Sequence, residues 1–238
     1  MNYGIIAAGE GSRLAGEGIS LPKPLVPIEG KPMIGRLIDI FLETDAESVN
    51  VVVNDRMPEV LDYLRSRRMP EGIPLNIKVK STPSSMHTFA ELASMMEGKG
   101  RFIATTVDTI FRAEEFAQYA RAFSQAPQEV DGMMAMTSFV DDEKPLWIEV
   151  GADERILAFR DAVWPGARYI SAGIYGLDSK AFRVLEDCLK RGVSRMRNFQ
   201  RALVESGMLL KGYEMGKVMD VDHAADLVAA QRFLAEGL

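Results

Sequence analysis

A short apolar run passes into a glycine-rich loop in the stretch Tyr3-Gly4-Ile5-Ile6-Ala7-Ala8-Gly9-Glu10-Gly11-Ser12-Arg13-Leu14. Such a run is typical of a buried first strand in an open α/β sheet, in which ligands bind beyond the carboxyl ends of the strands. Glycine lets the backbone adopt positive φ and approach a ligand closely, and consecutive N–H groups then form a concave anion site. Arg13 adds a bidentate donor and Lys23 a compact positive charge, so the stretch predicts a loop that binds phosphate.

The loop differs from two familiar phosphate-binding motifs. A dinucleotide-binding fingerprint would place glycine at position 14, where this chain has Leu14. A P-loop would end in Gly-Lys-Ser or Gly-Lys-Thr, and Gly11-Ser12-Arg13 does not supply that ending. The sequence therefore favours phosphate binding of another kind.

Beyond this loop, short apolar runs alternate with longer amphipathic stretches. The pattern predicts strands over 3–8, 48–53, 75–80, 102–107, 132–140, 146–159, 169–177 and 208–213, and helices over 32–43, 58–67, 87–97, 113–123, 180–191, 196–206 and 224–234. Pro32 should open the first of these helices, because its missing N–H would lack an intrahelical partner there. Strands that alternate with helices imply parallel β-α-β units, and Gly151-Ala152-Asp153-Glu154 reads as a hairpin turn. We therefore expect an α/β fold with a mixed, mostly parallel sheet and helices on both faces, in a single domain over residues 1–238.

Composition restricts the class of function. The net charge is −6, whereas a general nucleic-acid binder carries an excess of Lys and Arg. Cys188 is the only cysteine, and His87 and His223 are the only histidines, so a zinc site is not expected and any metal should be a hard cation held by oxygen. No apolar run reaches the ~20 residues of a membrane helix, and the amino terminus lacks the pattern of a signal peptide. These features predict a cytoplasmic protein without nucleic-acid or membrane partners, and they leave the oligomeric state open.

Three motifs together resemble the opening of the nucleotidyltransferases that make nucleoside-diphosphate sugars and related activated alcohols. They are Ala7-Ala8-Gly9-Glu10-Gly11-Ser12-Arg13-Leu14, Pro22-Lys23-Pro24-Leu25 and Gly30-Lys31-Pro32-Met33. The resemblance implies a three-layer, Rossmann-like nucleotidyltransferase fold. It also implies that the glycine loop grips a nucleoside triphosphate through Ala8, Gly9, Gly11 and Ser12, while Arg13 and Lys23 neutralise its phosphates.

Phosphoryl chemistry of this type requires Mg²⁺, which binds through one or two carboxylates together with substrate phosphates and water. Asp108 directly follows a predicted buried strand and matches the aspartate that binds the metal in the family; on its own it would read as a turn or cap residue. Asp220-Val221-Asp222 resembles the family's carboxy-terminal Asp-x-Asp segment. Alternation places both side chains on one side. One of the two, Asp220 by preference, would reach the metal and the other would cap the last helix, while His223 is expected at the start of that helix.

The middle of the chain carries weaker signals. Thr88 matches a family position that contacts the nucleotide base, and a helix N-cap role fits it equally well. Gly173, within Ala172-Gly173-Ile174-Tyr175, matches a strand beside the acceptor pocket of the family. Where the family has Glu-Lys-Pro, this chain has Phe159-Arg160-Asp161-Ala162, so neither the base nor the acceptor is assigned.

The resemblance implies a Mg²⁺-dependent enzyme with Arg13, Lys23 and Asp108 as catalytic residues. It would move a nucleoside monophosphate from a triphosphate to a phosphomonoester, with a sugar 1-phosphate as the expected acceptor and phosphocholine or another alcohol phosphate as alternatives. Two other functions remain open. A metal-dependent glycosyltransferase would use Asp220-Val221-Asp222 with a nucleotide sugar, and a non-catalytic sensor would bind triphosphate without turnover.

Overall fold

The computed structural model describes residues 1–236. Their central element is a nine-stranded sheet. The strands are β1 (Asn2–Ala7), β2 (Pro27–Ile28), β3 (Lys31–Pro32), β4 (Ser48–Val53), β5 (Leu75–Val79), β6 (Phe102–Thr106), β7 (Thr109–Ile110), β8 (Gly132–Thr137), β9 (Trp147–Val150), β10 (Ile156–Arg160), β11 (Tyr169–Leu177), β12 (Leu210–Glu214) and β13 (Met219–Asp220). The helices are α1 (Ser12–Gly16), α2 (Met33–Glu43), α3 (Pro58–Ser66), α4 (Ser85–Met96), α5 (Ala113–Gln125), α6 (Ala181–Lys190), α7 (Met196–Glu205) and α8 (Ala224–Ala235).

The sheet is mixed, as the alternation of strands and helices predicts. Its main path runs β10-β9-β11-β6-β1-β4-β5, and β8 and β12 join it through β11. Strands β6, β1, β4 and β5 are parallel to one another, whereas β11 is antiparallel to β6, β8 and β9. The predicted hairpin is also confirmed, because β9 and β10 pair antiparallel across the turn at 151–154.

Helices cover both faces of the sheet. On one face, α2, α3 and α5 pack against the central strands, and the Tyr3 and Phe41 rings stack with centroids 4.5 Å apart. On the other face, α4, α6 and α7 form a second core in which Phe89 contacts Phe199. A smaller third core joins α1, the short strands and α8 around Leu14. The three-layer α/β/α architecture follows from apolar residues on both sides of the strands.

The helices and strands that the sequence pattern predicts are all present, with ends that shift by a few residues. Pro32 is an exception, because it precedes α2 with an extended ψ of 138° and pairs with Pro27 in a short ladder instead of opening the helix. The strand predicted over 132–140 ends at Thr137, whose hydroxyl accepts the N–H of Phe139 and turns the chain. Helix α1 and the two-residue strands carry too little periodicity to be read from sequence. Within residues 1–236, no helix is both long and apolar enough to cross a bilayer.

Candidate active site

The glycine loop and Asp108 lie at the same edge of the sheet. Strands β1 and β6 are parallel neighbours, with Ile6 opposite Thr106. The glycine loop follows the first strand and Asp108 follows the second, so both lie beyond the carboxyl ends of adjacent strands, where open α/β sheets bind ligands.

Asp220 reaches the same place from the far end of the sequence. Strand β13 pairs antiparallel with β7, which sets Asp220 opposite Thr109. The Thr109 hydroxyl donates a hydrogen bond to Asp220 Oδ1 over 3.1 Å, and the Val221 N–H donates one to the Asp108 carbonyl. These backbone pairings fix Asp220 beside Asp108, and Asp220 lines the cleft.

Lys23 lies at the centre of the carboxylates. It sits in the 3₁₀ turn Lys23–Leu25, between Pro22 and Pro24, whose rings restrict the backbone, and it is only 9% exposed. Its Nζ donates hydrogen bonds to Asp108 Oδ2 and, over 2.8 Å, to Asp222 Oδ1. The exposed Arg13 forms an ion pair with Asp222 Oδ2.

The electrostatics of this cluster follow from its crowding. Desolvation alone would lower the pKa of Lys23, but Asp108 and Asp222 outweigh it and raise that pKa, so the ammonium stays charged. Desolvation opposes ionisation of Asp222 as well, yet Lys23 and Arg13 lower its pKa. The pKa of Asp220 is raised, because the surrounding protein desolvates it and the negative charge of Asp108 repels a second one.

The residues present fit Mg²⁺ that is bound jointly with substrate. Among residues 1–236, no three His, Cys, Asp or Glu side chains form a self-sufficient metal site. Mg²⁺ does not need one, because it commonly takes one or two carboxylates and completes its shell with phosphates and water. Asp108 and Asp220 supply hard oxygen donors in close proximity, and their mutual repulsion is relieved by a cation. Asp222 is held instead by Lys23 and Arg13.

Gly11 and Lys23 are in close contact within the glycine loop. Gly11 has a φ of +63°, and a Cβ at this position would lie 2.7 Å from Lys23 Cβ. A cavity of about 350 Å³ opens beside them, lined among others by Gly18, Ser20 and Pro22. Ser12 begins α1 immediately after Gly11, and Ala8 is buried with its carbonyl accepting a hydrogen bond from Asn54. Glycine at position 11 therefore allows the loop and the lysine to meet.

Glu17 is a residue that the sequence analysis missed. Its Oε2 accepts the N–H of Ala224 over 2.6 Å, and its Oε1 accepts a hydrogen bond from His223 Nδ1. The carboxylate thus ties the segment after the glycine loop to the start of α8, next to Asp222. No local sequence pattern predicts this contact, because the partners lie more than 200 positions apart.

Neither Asp220 nor Asp222 caps the last helix, so that part of the prediction is wrong. His223 occupies the N-cap position of α8, as predicted for a helix-start residue. The Asp226 carboxylate accepts the backbone N–H groups of Asp222 and His223 at 2.9 and 2.7 Å. Because Asp226 and His223 cap the helix, the side chains of Asp220 and Asp222 both remain at the cleft.

Gly173 lines a cleft of about 700 Å³ together with Arg13, Thr106, Asp220 and Asp222. Its φ is +70°, and a Cβ there would lie 2.8 Å from Thr109 Oγ1, so glycine is required by the neighbouring hydroxyls. The structure places Gly173 beside the carboxylates, where the family resemblance expects the acceptor.

Thr88 is not brought to this cleft. It lies inside α4, is 2% exposed, and shares its hydroxyl with Thr82 Oγ1 at 2.6 Å. The N-cap alternative is wrong, because Ser84 precedes the helix and takes that position. Contact of Thr88 with a base stays a prediction.

Residues 4–172 match the family model described as the MobA-like NTP transferase domain. The chain belongs to this family. The matched range includes the glycine loop, Lys23, Asp108 and β11 up to Ala172. The predicted resemblance to nucleotidyltransferases is therefore confirmed.

Other proteins resemble this MobA-like NTP transferase domain in sequence or in fold. The bifunctional protein GlmU of Methanococcus maripaludis is 29% identical over 238 residues, which are 95% of this chain and 52% of the relative, so the chain spans about half the length of that curated relative. A putative glucose-1-phosphate thymidylyltransferase from Bacillus anthracis superposes with a TM-score of 0.82 at 18% identity, covering 98% of this chain and 94% of the other. The inositol-1-phosphate CTP transferase from T. maritima gives 0.76 at 17% identity, covering 100% and 97%. The predicted Rossmann-like nucleotidyltransferase fold is thus confirmed.

Proposed function

We propose that this chain is a Mg²⁺-dependent nucleotidyltransferase that transfers a nucleoside monophosphate from a triphosphate to a phosphorylated small molecule. The observation that carries the proposal is the meeting of Lys23 with Asp108 and Asp222 directly beside the glycine loop. A cationic loop in contact with a carboxylate cluster is what a triphosphate and its counter-cation require.

In the reaction, an oxygen of the acceptor phosphate forms a bond to the α-phosphorus while the bond from that phosphorus to the bridging oxygen breaks and pyrophosphate leaves. The chain supplies position and charge and contributes no covalent nucleophile. Loop N–H groups around Gly11 bind the phosphates. Lys23 and Arg13 balance the charge that grows on the transferred group, and Asp108 and Asp220 would hold Mg²⁺, which stabilises charge on phosphate oxygens.

Lys23 and Arg13 have different partners before substrate binds. Both neutralise Asp222, and Lys23 also neutralises Asp108. Bound Mg²⁺ would neutralise charge on Asp108 and Asp220, and the triphosphate, whose negative charge exceeds that of the ion, would draw Lys23 and Arg13 toward phosphate. This exchange of partners accounts for the presence of three carboxylates and two cations in the cluster.

The acceptor is proposed to be a phosphomonoester such as a sugar 1-phosphate, because the cleft that Gly173 and Asp220 line has a volume of about 700 Å³. The names of the relatives and of the superposed structures support this class: they include glucose-1-phosphate and inositol-1-phosphate nucleotidyltransferases. We also propose that residues 1–238 act as one catalytic domain in the cytoplasm.

The test is pyrophosphate release from four nucleoside triphosphates against a panel of phosphomonoesters, with and without Mg²⁺. We expect release that needs both an acceptor and Mg²⁺. Consumption of a nucleotide sugar without pyrophosphate would indicate the glycosyltransferase instead. Tight triphosphate binding without turnover of any acceptor would indicate the sensor.

A further inference from the structure

The end of the cleft away from Lys23 is built by α7 and the first half of β11. Gly173 marks the catalytic end, and Ser171 lies two residues earlier on the strand, about 6–7 Å away. The Ser171 hydroxyl donates to Gln200 Oε1 of α7 over 2.9 Å. An acceptor whose phosphate lies at Asp220 would extend its body toward this second end, which we call the distal end; it is lined by Ser85, Lys144, Ser171, Arg195, Arg197 and Gln200.

Arg195 lies at the distal end with its guanidinium uncommitted. Its side chain is exposed, and within residues 1–236 it makes no hydrogen bond or ion pair. The neighbouring Arg197 and Arg201 differ, because both form ion pairs with Asp161 over 2.7 Å. Arg195 also holds a φ of +71°, a conformation that strains a residue other than glycine. An arginine kept in a glycine-favoured conformation points to a role for its side chain.

Two helices begin at the distal end and add positive potential. The N–H groups of Arg195 and Met196, at the start of α7, donate to the hydroxyls of Ser84 and Ser85, at the start of α4, each over 3.3 Å. Both helix N-termini therefore meet beside the cleft, and each carries the partial positive charge of its dipole.

Gln200 gives an independent sign of a ligand. It is only 2% exposed, yet it lines the cleft. Its Oε1 is engaged by Ser171, whereas its Nε2 has no partner among the residues that the structure describes. Because Gln200 Nε2 is not among the fully enclosed polar atoms that lack a partner, it reaches the cleft surface, where a ligand oxygen can accept its hydrogen bond.

The acidic side chains of the cleft wall have neighbours of their own. Glu143 is 3.9 Å from His223 Nε2 and so belongs to the end that holds Asp222. Asp141 and Asp142 precede Lys144 in the same wall, and Asp142 Oδ1 accepts the backbone N–H of Lys144. The Lys144 ammonium itself makes no ion pair in residues 1–236. The distal end therefore presents two cations without ion pairs, two helix N-termini and one amide donor at the cleft surface.

We propose that the acceptor carries a second anionic group, a phosphate or a carboxylate, at the end of the molecule opposite its reacting phosphate. Arg195 binds this group, with Lys144 adding charge and Gln200 Nε2 donating a hydrogen bond. The inference rests on the proposed nucleotidyl transfer and specifies the substrate class of the same cleft. An acceptor whose only anionic group is the reacting phosphate, such as an ordinary hexose 1-phosphate, leaves Arg195 and Gln200 Nε2 without an anionic partner.

The test compares glucose 1-phosphate with glucose 1,6-bisphosphate and glucuronic acid 1-phosphate on the full chain with Mg²⁺. Binding is measured by calorimetry without triphosphate, and pyrophosphate release is measured separately. We expect at least one of the two acceptors with a second anionic group to bind about tenfold or more tightly than glucose 1-phosphate. The bisphosphate and the uronic acid arms distinguish a phosphate from a carboxylate.

Arg195→Gly removes the side chain and relieves the positive φ, so its melting temperature should not fall. The matched control is Arg191→Gly, which removes an exposed arginine of the same chain that pairs with Asp187 outside the cleft. We expect Arg195→Gly to lose the preference and Arg191→Gly to keep it. Equal binding of all three acceptors by the natural chain, or an unchanged preference in Arg195→Gly, overturns the inference. Absence of pyrophosphate from every acceptor would reject the proposed function instead, while the binding comparison would still decide the second anion.

Discussion

The Lys23 ammonium lies 2.8 Å from Asp222 Oδ1, although 199 positions of chain separate the two residues. The same ammonium also binds Asp108, so one buried lysine joins the glycine loop, the end of β6 and the segment before α8. The charge of Lys23 thereby holds three distant segments of the chain together. The arrangement of the cleft depends on these two ion pairs.

Lys23→Ala should lower turnover by about 10²-fold or more, because the charge that faces the transferred phosphate is lost. It should also lower the free energy of unfolding by on the order of 2 kcal/mol without Mg²⁺, because Asp108 loses its main counter-charge. Mg²⁺ should then stabilise the variant more than the natural chain. Turnover and urea unfolding, each with and without Mg²⁺, measure these effects. Lys99→Ala removes an exposed lysine as the control, and turnover of Lys23→Ala within twofold of the natural chain would reject the role.

Gly11→Ala should destabilise the protein by about 1–3 kcal/mol, because it forces a side chain into positive φ. The added Cβ would also lie 2.7 Å from Lys23 Cβ and displace the lysine, so turnover should fall as well. Gly9→Ala is a matched control for stability in the same loop, since a Cβ there would have no heavy atom within 4 Å. Urea unfolding of both variants tests the difference, and equal stability would contradict the structural account.

Glu17→Ala should lower kcat by about tenfold or more while changing the melting temperature little, because it releases the start of α8 and lets Asp222 shift. Glu17→Gln keeps an oxygen that can accept the Ala224 N–H, so its kcat should lie between those of the natural chain and Glu17→Ala. The exposed Glu43 offers the control Glu43→Ala. If Glu17→Ala lost stability and activity in parallel, Glu17 would be only a structural support.

Glu115→Gln should change how stability depends on pH. Burial raises the pKa of Glu115, and its Oε2 has no hydrogen-bond partner within residues 1–236. An acid whose pKa is higher in the folded state than in the unfolded state holds its proton more tightly when folded, so its contribution to stability is lost as pH rises through the folded pKa. The amide carries no charge, so we expect Glu115→Gln to be more stable than the natural chain at pH 8.

The same variant should gain nothing at pH 4, where the carboxyl of the natural chain is already protonated. Because the carboxylate is only half-buried, the gain at pH 8 should stay below about 1 kcal/mol. Urea unfolding at the two pH values measures it. Glu114→Gln, at the exposed neighbouring position, should show no such difference; a larger gain at pH 4 than at pH 8 would contradict the sign.

Local patterns predicted most of the fold because they report local physics. The β-branched residues in 48–53 suit a buried strand, and the glycine spacing in 9–11 suits a tight loop. Helix α1 and strands β7 and β13 escaped prediction because two to five residues show no period. Pro32 was misplaced because its pairing with Pro27 is a contact with another segment, which its own neighbourhood does not reveal.

The sequence by itself determined the class of site: a glycine loop, two cations and three candidate carboxylates, all recognisable by residue type and order. Only the tertiary structure decided which of these residues pair with one another. It paired Asp222 with Lys23 and Arg13, set Asp220 against Thr109, and excluded both aspartates from capping α8. It also left the Arg195 guanidinium without a partner within residues 1–236. The reason is physical: residue chemistry belongs to single positions, whereas charge pairing and burial belong to atoms that folding brings together from distant parts of the chain.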